Sequence, residues 1–233
     1  WAEHLLGDFA IAVWDPRNRV VHLTRDAMAM RGLYYRAESG RVVWATEVKQ
    51  ILTAPGVERR INETAVAVHL SGSHPPLGMS FYEGIEQVEP GQVVSVSEAG
   101  RQRRRYWQMD GSGRLRYRRE SEYAEHFREL FVQAVESRLR SVKPVGISLS
   151  GGMDSGSVAC TVGWMYEQGR SRYRPEFRAY TWAFEDLKQC DERGVSRLIT
   201  DRYGIPVTDV PADEAWPLKH YPDYGPHEDE PFF

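Results

Sequence analysis

Cysteine is scarce in this chain. Its 233 residues hold two, Cys160 and Cys190, which form neither a disulfide framework nor a metal spacing and suit a reducing cytoplasm. No apolar run approaches the ~20 residues of a membrane-spanning helix, and the first residues carry no signal-peptide pattern. Charge of one sign is not in excess either. Thirty Lys and Arg stand against 33 Asp and Glu, a net charge of −3, so no global field points to nucleic acid or to a membrane. What is present is an ordinary globular composition, 41% hydrophobic, in a length that accommodates one large or two modest domains. No initiator Met precedes Trp1, a strand pattern starts almost at once, and "DEPFF" closes the chain without a capping signal. An internal piece of a longer protein is the expectation.

The first hundred residues read as β-rich. Phe9 to Trp14 is apolar, "DPRN" has turn chemistry and "RVVHLT" returns, which predicts a hairpin. "LYYR" and "RVVWAT" predict a second, around "AESG". "EVKQIL" reads as a short helix ending before Pro55-Gly56, and Asn62 is a good N-cap for a helix from Glu63 to Leu70. The segment from Glu89 to Trp107 reads as two strands around Ala99-Gly100.

After Trp107 the texture changes. A Gly-, Ser- and Arg-rich linker over 108–120 leads into alternating helices and strands. Ser121 is a candidate cap for a helix whose apolar positions are Tyr123, Phe127, Leu130, Phe131, Ala134, Val135 and Leu139. "VGISL" predicts a buried strand, Ser155 to Gln168 a helix closed by Gly169, and "FRAYTWAF" a strand. Asp191 to Tyr203 predicts a helix with Val195, Leu198 and Ile199 on one face, and "PVTDV" a last strand. Such alternation implies βαβ units and a parallel sheet.

The stretch that carries chemistry is "LSGGMDS", residues 149–155. It falls where a parallel strand hands over to a helix, the edge at which open α/β sheets bind ligands. The helix start offers free N–H groups and the positive end of its dipole. Gly151 and Gly152 let the backbone approach an oxyanion, and Ser148, Ser150, Ser155 and Ser157 can add hydroxyls. Asp154 is a hard oxygen ligand suited to Mg²⁺ on a polyphosphate. The Walker loop would need a Lys and the dinucleotide loop G-x-G-x-x-G, and neither is present. The plain alternative is a glycine turn with serine caps.

"LSGGMDS" resembles the PP-loop of the ATP pyrophosphatases. "GDFAIAVWD", "LTRDAMAMRGLYYR", "VVWATEVKQIL" and "FYEGIEQVEPGQVVSV" are similar, in order, to the glutaminase domain of glutamine-hydrolysing asparagine synthetases. The fold this resemblance implies is α/β: part of an Ntn-hydrolase-like αββα domain over 1–107, then part of a parallel-sheet ATP-pyrophosphatase domain, adenine nucleotide alpha hydrolase-like, over 121–233. The activity it implies is ATP-dependent adenylation of the aspartate side chain, release of pyrophosphate, and displacement of AMP by ammonia from glutamine. It assigns Leu149, Ser150, Gly151, Gly152, Asp154 and Ser155 to the nucleotide and its pyrophosphate, with Asp154 on Mg²⁺, and sets Trp182 of "AYTWAF" beside adenine. The partners implied are ATP, aspartate, and glutamine or ammonia, with room for a homodimer and no nucleic acid or membrane.

The departures are specific. The family's glutaminase uses an N-terminal cysteine with its own amine as base, whereas this chain opens on Trp1 and has no Cys before Cys160. This stretch is therefore expected not to hydrolyse glutamine. The aspartate-pocket residues and a second acidic Mg²⁺ loop would follow Phe233, so weak ATP binding is expected of it alone. Met153 replaces a Leu of similar volume, and Trp182 a smaller aliphatic residue. "CDERG" and "PADEAWPL" resemble the peptide-tailoring relatives, such as lasso peptide cyclases; β-lactam synthetases use the same adenylation with an amine of the substrate as nucleophile. A rival from another class is a non-catalytic scaffold.

Other features have plainer expectations. The basic runs 101–105 and 114–119 read as solvated surface with internal pairing, Cys160 as a small buried residue, and Tyr34, Tyr35 and Trp44 as core. His220, His227, Glu228, Asp229 and Glu230 match no standard metal spacing and read as a surface loop.

Overall fold

The computed structural model describes residues 1–38, 40–215, 219, 223, 225, 228, 229 and 231. The chain forms two compact units, Trp1–Gly113 with Pro222–Phe233, and Arg114–Tyr221.

In the first unit, β1 (Ala10–Asp15) and β2 (Val20–Arg25) form the expected hairpin. Asp15 closes its turn by accepting from the backbone N–H groups of Arg17 and Asn18, at 2.9 and 3.2 Å. β3 (Tyr34–Glu38) and β4 (Arg41–Ala45) form the second hairpin, followed by α1 (Val48–Leu52) and α2 (Glu63–Leu70). Asn62 caps α2 as expected, its side chain accepting from Ala65 N–H at 3.2 Å. β5 (Glu86–Gln87), β6 (Gln92–Ser97) and β7 (Gly100–Arg105) complete two antiparallel sheets, ordered β1-β2-β6-β7 and β4-β3-β5. Val21, Leu23, Val94 and Val96 of the first sheet share a core with Leu33, Tyr35 and Val88 around the second. Each such side chain contributes roughly 1.5–3 kcal/mol on burial. Tyr34 and Ile85 pack with Val48 and Ile51 of α1. Trp44 departs from the core expectation and is 42% exposed, because it lies outside both apolar clusters, on a strand position turned to solvent.

Buried Asp26 organises the loop after β2. Its Oδ1 accepts from Met28 and Met30 N–H, both at 3.0 Å, and its Oδ2 from Phe9 and Arg31 N–H, both at 3.3 Å. Asp26→Ala leaves these donors without their buried acceptor, and is expected to cost on the order of 2 kcal/mol. Urea unfolding reads this as a lower midpoint at unchanged slope.

The arginines of β7 are paired, as expected of that basic run. Arg101 and Arg103 both meet Glu86, Arg105 meets Glu89, and Arg104 lies 2.6 Å from Glu3. Asp229 accepts from Val48 and Lys49 N–H at 2.7 and 3.0 Å, so it caps α1. His220, His227 and Glu230 lie outside the described residues, as do 216–218 of "PADEAWPL". Among the described residues no group of three His, Cys, Asp or Glu could hold a metal, and no helix is long and apolar enough to cross a membrane.

The second unit runs α3 (Glu120–Arg138), β8 (Val145–Ser148), α4 (Met153–Glu167), β9 (Phe177–Ala183), α5 (Arg193–Tyr203), β10 (Val207–Pro211). Its sheet is parallel, in the order β10-β9-β8. Phe177 and Ala179 of β9 face a core that joins Val135 of α3 and Leu139 at its C-cap with Ala159, Val162 and Met165 of α4. The alternate residues Tyr180 and Trp182 are 42% and 52% exposed.

Three helix expectations are corrected. Ser121 does not cap α3, whose N-cap is Arg119, two residues earlier; the Glu122 carboxylate reaches back instead and accepts from Arg118 and Arg119 N–H at 2.9 and 3.1 Å. Of that helix's apolar stripe, Tyr123, Phe127 and Leu130 are exposed, and only the C-terminal part meets the core. On α5 the buried residues are Ser196 and Thr200, with Ile199 and Tyr203 packed at the core, whereas Val195 and Leu198 are exposed. The cause is close packing on α4: a Cβ at Gly163 would stand 2.3 Å from Tyr203 Cγ, and one at Gly156 3.1 Å from Ile199 Cδ1. Glycines on α4 thus select which side of α5 faces in.

Candidate functional site at the carboxyl edge of the parallel sheet

The loop at residues 149–152 links the carboxyl end of β8 to α4. Leu149 is 1% exposed and anchors it, its N–H donating to Tyr180 O at 2.8 Å. The buried Thr181 hydroxyl donates to Leu149 O at 3.1 Å, so β9 holds the loop's first residue through both its N–H and its carbonyl. From there the backbone turns on its own serines. Ser155 Oγ accepts from Ser150 N–H at 3.1 Å and lies 3.0 Å from Ser150 Oγ, which in turn accepts from Gly152 N–H at 3.1 Å.

α4 starts at Met153, two residues earlier than its sequence pattern suggests. Gly152 takes the N-cap position with extended backbone, and its carbonyl accepts from Gly156 N–H at 3.2 Å. Asp154 and Ser155 therefore lie in the first turn of a 15-residue helix, at the positive end of its dipole. Asp154 is exposed and Met153 points to solvent. Ser150, Gly151, Gly152, Asp154 and Ser155 are thus brought together. Trp182 sits on β9 two residues beyond Tyr180, the partner of Ser148 at the end of β8, which puts it level with the start of the loop.

Two acidic elements missed by motif reading complete the edge. Asp213, after β10, accepts from the N–H groups of Glu185, Asp186 and Leu187 at 2.7, 2.8 and 3.2 Å, and these bonds hold its carboxyl below the usual range. Arg193 binds Asp191 and Glu185, each at 2.7 Å, and its hydrogen bond holds the Asp191 carboxyl low as well. The second is Glu192, whose Oε2 accepts from Gly151 N–H at 3.1 Å. A carboxylate just ahead of a helix, in "CDERG", was the available signal, but nothing local in sequence ties it to a glycine 41 residues away.

The donor set fits an anion. One loop amide already takes an anionic oxygen, hydroxyls converge on the turn, and the loop packs closely on its neighbours: a Cβ at Gly151 would lie 3.3 Å from Glu192 and one at Gly152 3.2 Å from Ser150 Oγ. An exposed carboxylate in the first helical turn suits a divalent cation carried in with a polyphosphate.

Comparison with known proteins places both parts of the chain. Residues 1–107 match a glutamine amidotransferase domain and residues 126–233 match asparagine synthase. The chain thus matches an amidotransferase-type domain followed by an asparagine synthase domain. The chain belongs to the asparagine synthase-like family. It is 30% identical to amidase chry2 of Gibberella zeae over 94% of this chain and 34% of that protein. It is 29% identical to amidase chyE of Penicillium rubens over 98% of this chain and 35% of that one, so it spans about a third of these curated relatives. Asparagine synthetase 3 (glutamine-hydrolysing) of Bacillus subtilis is 29% identical over 72% of this chain and 28% of its own. A glutamine phosphoribosylpyrophosphate amidotransferase structure from B. subtilis covers 87% of this chain and 32% of its own at 12% identity, with a TM-score of 0.25, too low to carry an argument.

Proposed function

We propose that the parent protein activates a carboxylate with ATP, releasing pyrophosphate into the 149–155 loop, and that an amine or ammonia then displaces AMP to form an amide. The observation that carries this reading is the amide of Gly151 turned onto an anionic oxygen at the carboxyl edge of a parallel sheet, at the head of α4. In the reaction a carboxylate oxygen attacks the α-phosphorus of ATP, and the bond to the pyrophosphate oxygen breaks. This chain's part is electrostatic. Gly151 N–H, the Ser150 and Ser155 hydroxyls and the α4 terminus receive the leaving oxyanion, fixed in place before the reaction. Asp154 would hold Mg²⁺, which neutralises charge on the phosphates. Trp182 offers an exposed aromatic surface for the base.

Aspartate is the first carboxylate to test, since the family includes asparagine synthetases. The fungal relatives named amidases support a second reading, because they span 94% and 98% of this chain against 72% for the B. subtilis synthetase. In it the activated carboxylate and the amine belong to a larger tailored substrate. Nucleotide products of the full-length parent distinguish these. AMP formed only when aspartate is present supports the first, AMP formed with other carboxylates but not aspartate supports the second, and ADP as the product contradicts both.

A further inference from the structure

We propose that Glu192 is a positioning residue for the polyphosphate, an internal anion that holds the Gly151 amide until the nucleotide displaces it. This rests on the loop reading above. To an amide N–H, a carboxylate oxygen and a phosphate oxygen are equivalent acceptors, and one N–H serves one of them at a time in a linear bond. In this structure Glu192 Oε2 has that place, 3.1 Å from Gly151 N. The rest of the side chain lies over the loop, its Cβ, Cδ and Oε1 3.3–3.4 Å from where a Gly151 Cβ would be.

The backbone of Glu192 is held and its side chain is not enclosed. Its carbonyl accepts from Val195 and Ser196 N–H at 3.0 and 3.1 Å, starting α5, and buried Ser196 in turn lies 3.4 Å from the Thr181 hydroxyl that props Leu149. The carboxylate itself is exposed and can swing away without disturbing the core. The neighbouring Arg193 is engaged by Asp191 and Glu185. A phosphate entering the loop with Glu192 in place would lose a donor and face a like charge at contact distance. Glu192 therefore keeps the loop in its anion-bound shape when empty and sets a threshold that the polyphosphate must exceed.

The test measures inorganic pyrophosphate binding by calorimetry, without Mg²⁺, to the full-length parent and to its Glu192→Gln and Glu192→Ala variants, with thermal unfolding alongside. The expected result is binding about tenfold tighter in Glu192→Ala, which removes both the competing acceptor and its charge, and a smaller gain in Glu192→Gln, which removes the charge alone, at an unchanged unfolding temperature. A merely structural role would weaken binding or leave it as it is, and either result overturns the inference while the loop reading stands. Pyrophosphate binding by none of the three proteins overturns the loop reading, and this inference with it.

Discussion

Gly163→Ala is expected to unseat α5 from α4 and to destabilise the second unit by about 3 kcal/mol or more. The added Cβ would stand 2.3 Å from Tyr203 Cγ, 2.6 Å from Cδ1 and 2.7 Å from Cβ. The last of these is bonded to the backbone, so a side-chain rotation alone does not relieve the clash and the helix must shift. Gly156→Ala is the control. There the nearest atom is Ile199 Cδ1 at 3.1 Å, the far end of a flexible side chain, and the higher helix propensity of alanine offsets the small adjustment. Denaturant midpoints of the two variants should therefore separate widely. Equal stability of Gly163→Ala and the unaltered protein would mean that the two helices do not pack as described. The consequence reaches function, because the head of α5 carries Glu192 to the loop.

The second large effect is chemical. Asp154→Asn should lower ATP-dependent turnover by about 10²-fold or more while the fold stays intact. Asp154 is an exposed residue in the first turn of α4, so its structural worth is limited to the favourable dipole interaction, roughly 0.3–1 kcal/mol. In the function proposed above, its worth is that of an oxygen ligand to a divalent cation, which asparagine cannot match in charge. The readouts are initial rate at saturating ATP and the unfolding midpoint. A full rate would remove Asp154 from the cation site, whereas no ATP-dependent turnover even in the unaltered protein would favour the scaffold alternative.

Where sequence and structure agree, the signal is local. The hairpins of the first unit follow from short turns and alternating apolar residues, and Asn62 caps α2 through a side chain three residues from its donor. The 149–155 loop is legible for the same reason: glycines, hydroxyls and an aspartate are read together, and a strand and a helix flank them. What escaped is set by distant partners. Which face of α5 turns inward depends on Gly156 and Gly163 in α4, so a list of the apolar residues of α5 misplaces Val195 and Leu198. Thr181 is one polar residue in an apolar strand until its hydroxyl is seen on Leu149 O, 32 positions away in sequence. Asp213 and Glu192 act across loops that meet only when β8, β9 and β10 align. Asp229, in an acidic tail without a motif, caps a helix 181 residues earlier.

Pyrophosphate exchange into ATP by the full-length parent tests the central claim most directly, since exchange requires that a carboxylate be adenylated reversibly with pyrophosphate returning to the loop. The expected result is exchange that depends on a carboxylate substrate, with aspartate tried first and then glutamine with aspartate, and that is lost in Asp154→Asn. Exchange that persists undiminished in Asp154→Asn, or its absence with every carboxylate offered to a folded protein that binds Mg·ATP, would contradict the account.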